Sequence, residues 1–329
     1  MDRINLIHGE GGKHTQKLIK EIFYKEFKNE HLLMDRDSAN LTINCNKIAF
    51  TTDSFVVKPL FFNGGDIGKL AVCGTVNDLV TSFSIPKFLS LSFIIEDGFF
   101  IKDLLKIVKS IGETSEKTGV KIVTGDTKVV EKGKVEGVFI NTSGIGIIKH
   151  PIIDNIKTGD KIIITSTIGE HGTDIAMDRY GLEIEGKIKS DVSPLNDLVE
   201  ILYEYKNSIR LLKDPTRGGI AQSLNEISEK YKIGMEIIEE NIPIRREVKS
   251  LNEMIGLDPY YLACEGVMIV IAEDKISRDI INKLRIYEKY SRAEIVGEVI
   301  EGNRVYIKNK IGGKRILREL ESIMLPRIC

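Results

Sequence analysis

Tryptophan is absent from this 329-residue chain, and only four cysteines occur, at Cys45, Cys73, Cys264 and Cys329, with no CxxC pair among them. That spacing excludes a zinc ribbon and argues against a disulfide framework. Neither sign of charge is in excess: 47 Lys and Arg face 48 Asp and Glu, a net charge of −1, which lacks the basic footprint of a nucleic-acid binder. No apolar run approaches the roughly 20 residues that span a bilayer. The longest, Phe88 to Ile95, is interrupted by Ser90 and Ser92 and reads as a strand. Met1-Asp2-Arg3 runs directly into Ile4-Asn5-Leu6 with no basic-then-apolar leader. Neither nucleic acid nor membrane is expected as a partner, and the cytoplasm is the expected location. The five histidines are scattered without a zinc-protease helix motif, and no serine-hydrolase elbow occurs.

What is present is an alternation of short apolar runs with stretches of 3.6-residue period, the pattern of a mixed α/β chain long enough for about two domains. A Gly-rich turn, His8 to Gly12, opens a helix through about Phe27. Strands are predicted at Leu41–Ile43, Lys47–Thr52, Phe88–Ile95, Val120–Thr124 and Val135–Ile148, with helices over Asp66–Ser84 and Ile101–Lys117. Lys149-His150-Pro151 reads as a linker, giving domains 1–150 and 151–329. The second half is predicted to hold strands at Lys161–Thr165, Val267–Ala272, Glu294–Ile300 and Val305–Lys308. Helices are predicted near Gly172–Tyr180, Pro194–Tyr205, Thr216–Tyr231 and Ile276–Tyr287, and a last one over Lys314–Met324 stopped by Pro326. Strands mixed with helices rather than strict βαβ units predict an α+β fold.

Three carboxylates stand where strands end or begin, and a fourth stands on a helix face. Asp53 closes Ala49-Phe50-Thr51-Thr52, Asp126 closes Ile122-Val123-Thr124-Gly125, Asp37 precedes Leu41, and Asp78 lies on a small-residue helix face with Ile67, Ala71 and Gly74. Strand ends gather where loops converge, and several hard oxygen ligands there suit magnesium bound with phosphates. Each Asp taken singly reads as a turn residue or a solvated helix acid. Gly11 and Gly12 could offer backbone N–H groups to phosphate, although the turn matches neither standard phosphate-loop pattern. Asp214 and Pro215 read as the cap and first residue of a helix, followed by Thr216-Arg217-Gly218-Gly219. Two glycines in a first turn cost roughly 1 kcal/mol each, so close backbone approach to an anion beside Arg217 is the expected reason for them. Cys73, Cys264 and Cys45 read as small buried apolar residues. Cys329 is the last residue, beyond Pro326, on an arm free to travel; the plain alternative is an incidental surface thiol.

The segments TTDSFVVKPLFFNGGDIGKLAVCGTVNDL (51–79), IVTGDTKVV (122–130), KDPTRGG (213–219), CEG (264–266) and the closing PRIC (326–329) resemble the HypE family of hydrogenase maturation factors, over nearly the whole chain. That family is part of the PurM-like ATP-dependent superfamily. The resemblance implies a two-domain PurM-like α+β fold whose N-terminal sheets pair in a homodimer, with ATP in the groove between the domains. It implies a carbamoyl dehydratase: HypF loads a carbamoyl group onto Cys329, and ATP with Mg2+ converts the S-carboxamide to a thiocyanate. The cyanide then passes to iron on the HypC–HypD complex for a [NiFe]-hydrogenase. By the same resemblance Asp37, Asp53, Asp78 and Asp126 match metal–phosphate carboxylates, while Gly11, Gly12, Asp214, Arg217 and Gly218 match the nucleotide site. Lys128 and Glu265 match residues that contact the reacting carboxamide, Glu265 as proton acceptor and Lys128 as electrostatic stabiliser. The chain departs from the family where Glu10 replaces the usual serine, and where Arg36-Asp37-Ser38-Ala39 lacks a paired acid. The alternatives are another ATP-dependent kinase or synthetase of the superfamily, or a non-catalytic adaptor docking through Cys329.

Overall fold

The computed structural model describes residues 3–10, 12–34, 38–182, 188–321 and 328. Three residues singled out above, Gly11, Asp37 and Cys329, lie outside that set. After the Gly-rich turn the chain forms α1 (Lys13–Leu18), a π-helical turn (Ile19–Phe23) and α2 (Tyr24–Phe27). Leu18 and Ile22, then Phe23 and Phe27, recur four residues apart and are buried together.

The first half is organised by a four-stranded sheet built from β1 (Ile48–Phe55), β4 (Ser84–Glu96), β5 (Lys121–Val130) and β6 (Val138–Ile148). A small hairpin, β2 (Phe61–Phe62) and β3 (Gly65–Asp66), precedes α3 (Ile67–Thr81), and α4 (Ile101–Thr118) crosses from β4 to β5. Strand order is β1-β6-β4-β5, with β4 and β5 parallel and the other pairs antiparallel. Asp66 caps α3 by accepting from the Gly68 and Lys69 N–H groups. The helices cover one face. The opposite face keeps Phe50 68%, Ile48 47% and Ile94 40% exposed, an apolar surface among polar neighbours.

The helix α3 differs from its sequence reading. Nearly every residue from Ile67 to Val80 is buried, because the helix is enclosed by its own sheet and by the second half. Its small-residue face lies on β1: a Cβ on Gly74 would stand 2.8 Å from the Phe55 ring. Val80 and Phe83, at its far end, join a core cluster otherwise made by the second half.

That half is a seven-stranded sheet of order β13-β12-β9-β11-β7-β10-β8. Its strands are β7 (Lys161–Ile164), β8 (Ile209–Lys213), β9 (Gly234–Ile238), β10 (Ile269–Ala272), β11 (Glu294–Ile300), β12 (Val305–Lys308) and β13 (Lys314–Ile316). Around it lie α5 (Glu170–Tyr180), α6 (Leu198–Ile201), α7 (Gly219–Tyr231), α8 (Arg246–Ile255) and α9 (Asp274–Leu284). All four residues of β10 are buried, as a central strand covered on both faces requires.

Several expectations are corrected. Leu41–Ile43 joins no sheet. Lys314–Met324 is not a helix where it is described: Tyr306 and Lys308 pair with Ile316 and Lys314, so the glycines at 312 and 313 turn a hairpin. Ile316, Leu317 and Leu320 imitate helical spacing, but ladder pairing to β12 decides. The segment Pro194–Tyr205 is helical only over Leu198–Ile201 and a 3-10 turn at Tyr203–Tyr205. The strands β8 and β9 and the helix α8 were not anticipated.

Candidate functional site

The strand β1 turns Thr51, Asp53 and Phe55 toward α3. Thr51 Oγ1 donates to Asp78 Oδ2 at 2.8 Å, and the Ser54 N–H donates to Asp53 Oδ1 at 2.8 Å. The absent side chain of Gly74 permits this approach, since a Cβ there would lie 3.7 Å from Asp53 Oδ2. Asp214 arrives from the end of β8. Burial raises all three acids above the usual carboxylate range, Asp214 to about 7. Mutual repulsion follows burial as a cause: Asp53 raises Asp78, and Asp78 and Asp53 raise Asp214. Lys213 opposes this at Asp78 and Asp214, and Arg217 opposes it at Asp53.

The fourth acid is Glu265, only 2% exposed, with an Oε1 that has no hydrogen-bond partner among the described residues. Its loop is pinned from three sides. The Glu265 and Gly266 N–H groups donate to the carboxylate of Asp191 at 3.2–3.3 Å. The Glu265 carbonyl accepts from Asn77 Nδ2 at 3.2 Å, while Asn77 Oδ1 accepts from the Leu195 N–H at 2.8 Å. The Cys264 N–H donates to the Pro215 carbonyl at 3.0 Å. A residue of α3 thereby clamps the loop of the other half. Burial, then Asp191, Asp214, Asp53 and Asp78, raise the Glu265 carboxyl well above its ordinary value.

Asp214 and Pro215 do not cap the following helix. The helix α7 starts at Gly219, with Gly218 before it at φ +80° and Gly219 itself at φ +59°. A Cβ on Gly219 would fall 2.6 Å from the carbonyl oxygens of Tyr260 and Leu262. The paired glycines therefore admit the chain's own backbone next to the Glu265 loop, which is the close approach the sequence indicated, with a different neighbour.

A second group lies elsewhere. Gly9, Asp126 and Lys128 line a cleft of about 280 Å³ where α1 and α2 cover the edge strand β5. A Cβ on Gly9 would stand 2.7 Å from the Val129 nitrogen, and Gly12 precedes α1 as its cap residue. Asp126 Oδ1 and Lys128 Nζ are 3.3 Å apart and both exposed. In register, Asp53 faces Thr142, Thr142 faces Leu91, and Leu91 faces Gly125. Asp126 is thus about 14 Å from Asp53 across three strand spacings, and alternation turns it to the sheet's other face. One chain does not gather Asp126 with Asp53 and Asp78, nor Lys128 with Glu265; the set expected from strand ends divides in two.

Among the described residues no three His, Cys, Asp or Glu side chains converge as a ready cation cage. The donors still fit magnesium. Asp53 and Asp78 offer carboxylate oxygens that repel one another, and Mg2+ usually takes one or two carboxylates, with phosphate and water completing its shell.

The burial of these acids has a measurable sign. Asp191 and Asp214 are both raised to about 7 by burial, from about 4 in an unfolded chain. Their protonated forms favour folding, so this contribution is complete below pH ~4 and is lost as pH rises through ~7. In EDTA, urea unfolding is expected to show stability falling between pH ~4 and ~7 and levelling off above ~8, by roughly 1 kcal/mol per pH unit for each group. A flat or rising stability over that interval would contradict the assignment.

Three contributors escaped the sequence reading: Asn77, Asp191 and the seat of Ile328, whose carbonyl lies 2.7 Å from His171 Nε2. Asn77 and Asp191 carry no spacing signal, because each acts on backbone more than 70 residues away.

The AIR synthase related protein N-terminal domain matches residues 35–148, and the corresponding C-terminal domain matches 157–310. The chain is 40% identical over 331 residues to a carbamoyl dehydratase HypE from Azotobacter vinelandii, covering 99% of this chain and 97% of the relative. It superposes on a crystal structure of hydrogenase maturation protein HypE in complex with ATP with a TM-score of 0.95 and 38% identity, covering 99% of both chains. A chain in a HypE–HypF complex crystal structure matches with a TM-score of 0.81 and 47% identity, covering 92% of this chain and 99% of that one.

Proposed function

Because the chain belongs to the HypE family and has the family's two-domain PurM-like α+β fold, we propose that it is an ATP-dependent carbamoyl dehydratase of hydrogenase maturation acting on its own Cys329. The observation that carries this reading is the position of Ile328. Its carbonyl is bonded to His171 and its side chain is buried in the same apolar cluster as Ala263, two residues before Glu265. Cys329 follows one Cα step later, about 3.8 Å along the chain.

In the proposed reaction the carboxamide oxygen attacks the γ-phosphorus of ATP and ADP departs, while one N–H proton is given up. The second N–H proton then leaves as the C–O bond breaks, phosphate departs and the C≡N bond of a thiocyanate forms. Carboxamide and ATP become thiocyanate, ADP and phosphate, with no change of oxidation state. Phosphorylation is needed because an amide oxygen is otherwise a poor leaving group. Glu265 accepts one of these protons, and the departing phosphate carries the other: ionised in that buried, acid-rich loop the Glu265 carboxylate is a strong base. Lys128 offsets negative charge developing on the phosphoryl oxygens. Mg2+ bound with the nucleotide would neutralise phosphate charge, held by Asp53 and Asp78 with Asp214 beside them, and Asp37 completes the proposed set. Gly11, Gly12, Arg217 and Gly218 are proposed to meet the nucleotide.

Since Asp126 and Lys128 are turned away from Glu265, the proposal includes a homodimer in which the exposed sheet face around Phe50 and Ile94 pairs with its copy. The partner's Asp126 and the partner's Lys128 then complete the site. HypF, which a relative binds, is proposed as carbamoyl donor and the HypC–HypD complex as cyanide acceptor, in the cytoplasm.

With HypF and carbamoyl phosphate present, ATP hydrolysis by the Cys329→Ala protein is expected to fall to the level without carbamoyl phosphate. Hydrolysis equal to that of the unaltered protein would exclude reaction at the terminal thiol.

A further inference from the structure

His171 is fully buried in the first turn of α5, and the reaction just described makes no use of it. Its ring has a partner on each nitrogen: Nδ1 is 2.8 Å from Ser190 Oγ, and Nε2 is 2.7 Å from the Ile328 carbonyl. The Ile328 carbonyl can only accept, so Nδ1 of the neutral ring is the acceptor and the Ser190 hydroxyl donates to it, while Ser190 Oγ also accepts from the Val192 N–H at 3.1 Å. That leaves the imidazole proton on Nε2, aimed at the penultimate carbonyl of the chain. The Phe62 ring meets the imidazole edge-on at 5.3 Å between centroids and fixes its plane. One residue on, the Gly172 N–H donates to the Ala263 carbonyl at 3.2 Å, tying this turn to the Glu265 loop. The apolar cluster that includes Phe62, Ile175, Val192 and Ala263 takes in the Ile328 side chain.

We propose that His171 is a positioning residue, a neutral latch that holds Ile328 against α5 and the Ala263 cluster so that the residue after Ile328 is presented to the Glu265 loop. The proposal rests on the reading that Cys329 carries the reacting group. Burial lowers the His171 pKa to about 4, with Arg179 acting in the same direction and the Ile328 hydrogen bond opposing. The ring therefore stays neutral at ordinary pH and the latch holds by a directed hydrogen bond rather than by charge. A neutral buried hydrogen bond of this kind changes a docking equilibrium by about 2- to 10-fold, and more when the carbonyl it leaves stays buried.

The test reads the tail without ATP or a carbamoyl donor, so its outcome is separate from that of the dehydratase assignment. The folded protein is alkylated with iodoacetamide, and labelling of Cys329 is measured on its peptide against Cys45, which is partly exposed. His171→Ala is expected to raise Cys329 labelling roughly tenfold. His171→Gln, which returns an N–H donor near the Nε2 position, is expected to stay within about twofold of the original protein. Ser190→Ala removes the group that fixes the tautomer and is expected to give an intermediate rise, a second measure should His171→Ala fold poorly. After carbamoylation, His171→Ala should lower kcat with KM for ATP unchanged. Equal labelling in His171→Ala, or in Ser190→Ala if that is the variant that folds, would overturn the latch. So would a glutamine variant that behaves like alanine.

Discussion

Mixing Lys128→Ala chains with Glu265→Gln chains is expected to restore about a quarter of the original dehydration rate, although each variant alone is inactive. The expectation follows from sheet order. Lys128 lies on the edge strand β5 and Glu265 in a loop that faces α3, so the two belong to different surfaces of one chain. If each site takes Glu265 from one copy and Lys128 from the other, a mixed dimer has one site with both variants and one site with neither. Random assortment makes about half of the dimers mixed, each with one working site of two. Native mass spectrometry would establish the mixed fraction, and the rate should track it. Recovery absent at a high mixed fraction would contradict the shared site.

Much of this arrangement was legible in the sequence, for reasons that also explain what was not. Asp53 and Asp78 stand at a strand end and on a small-residue helix face, positions that local pattern marks, whereas Asp214 reads locally as a helix cap and Glu265 is indicated only by the resemblance of its CEG segment. Their assembly into one buried acid cluster was not legible, because it depends on β8 and the Glu265 loop closing onto α3 through Asn77, a contact spanning 188 residues. The separation of Asp126 from that cluster follows from strand order β1-β6-β4-β5, and order is set by long-range pairing rather than by local sequence. Gly218 and Gly219 were recognised as misplaced for helix stability, but their neighbour, the backbone at Tyr260 and Leu262, is brought in by tertiary packing. The tail misled because Ile316, Leu317 and Leu320 repeat at helical spacing while the Gly312-Gly313 turn pairs Lys314–Ile316 as a strand. His171 is one of five scattered histidines with no motif, and only the fold reveals its partners, 19 and 157 residues away.

Glu265→Gln is expected to lower the ATP-dependent turnover of carbamoylated protein by about 10²- to 10⁴-fold, the range over which a positioned base contributes. The exchange is nearly isosteric and leaves intact the backbone bonds to Asp191 and Asn77 that hold the loop. It also removes a carboxyl that Asp191, Asp214, Asp53 and Asp78 all repel, so the variant should be at least as stable as its parent. Loss of activity without loss of stability separates proton transfer from folding. Direct evidence comes from intact masses of both proteins after HypF, carbamoyl phosphate and ATP. The unaltered chain should lose one water from its carbamoylated mass, with the loss mapping to the peptide that ends in Cys329, while Glu265→Gln should retain the full carbamoyl increment. Water loss at another residue, or at the same rate in both proteins, would contradict the account.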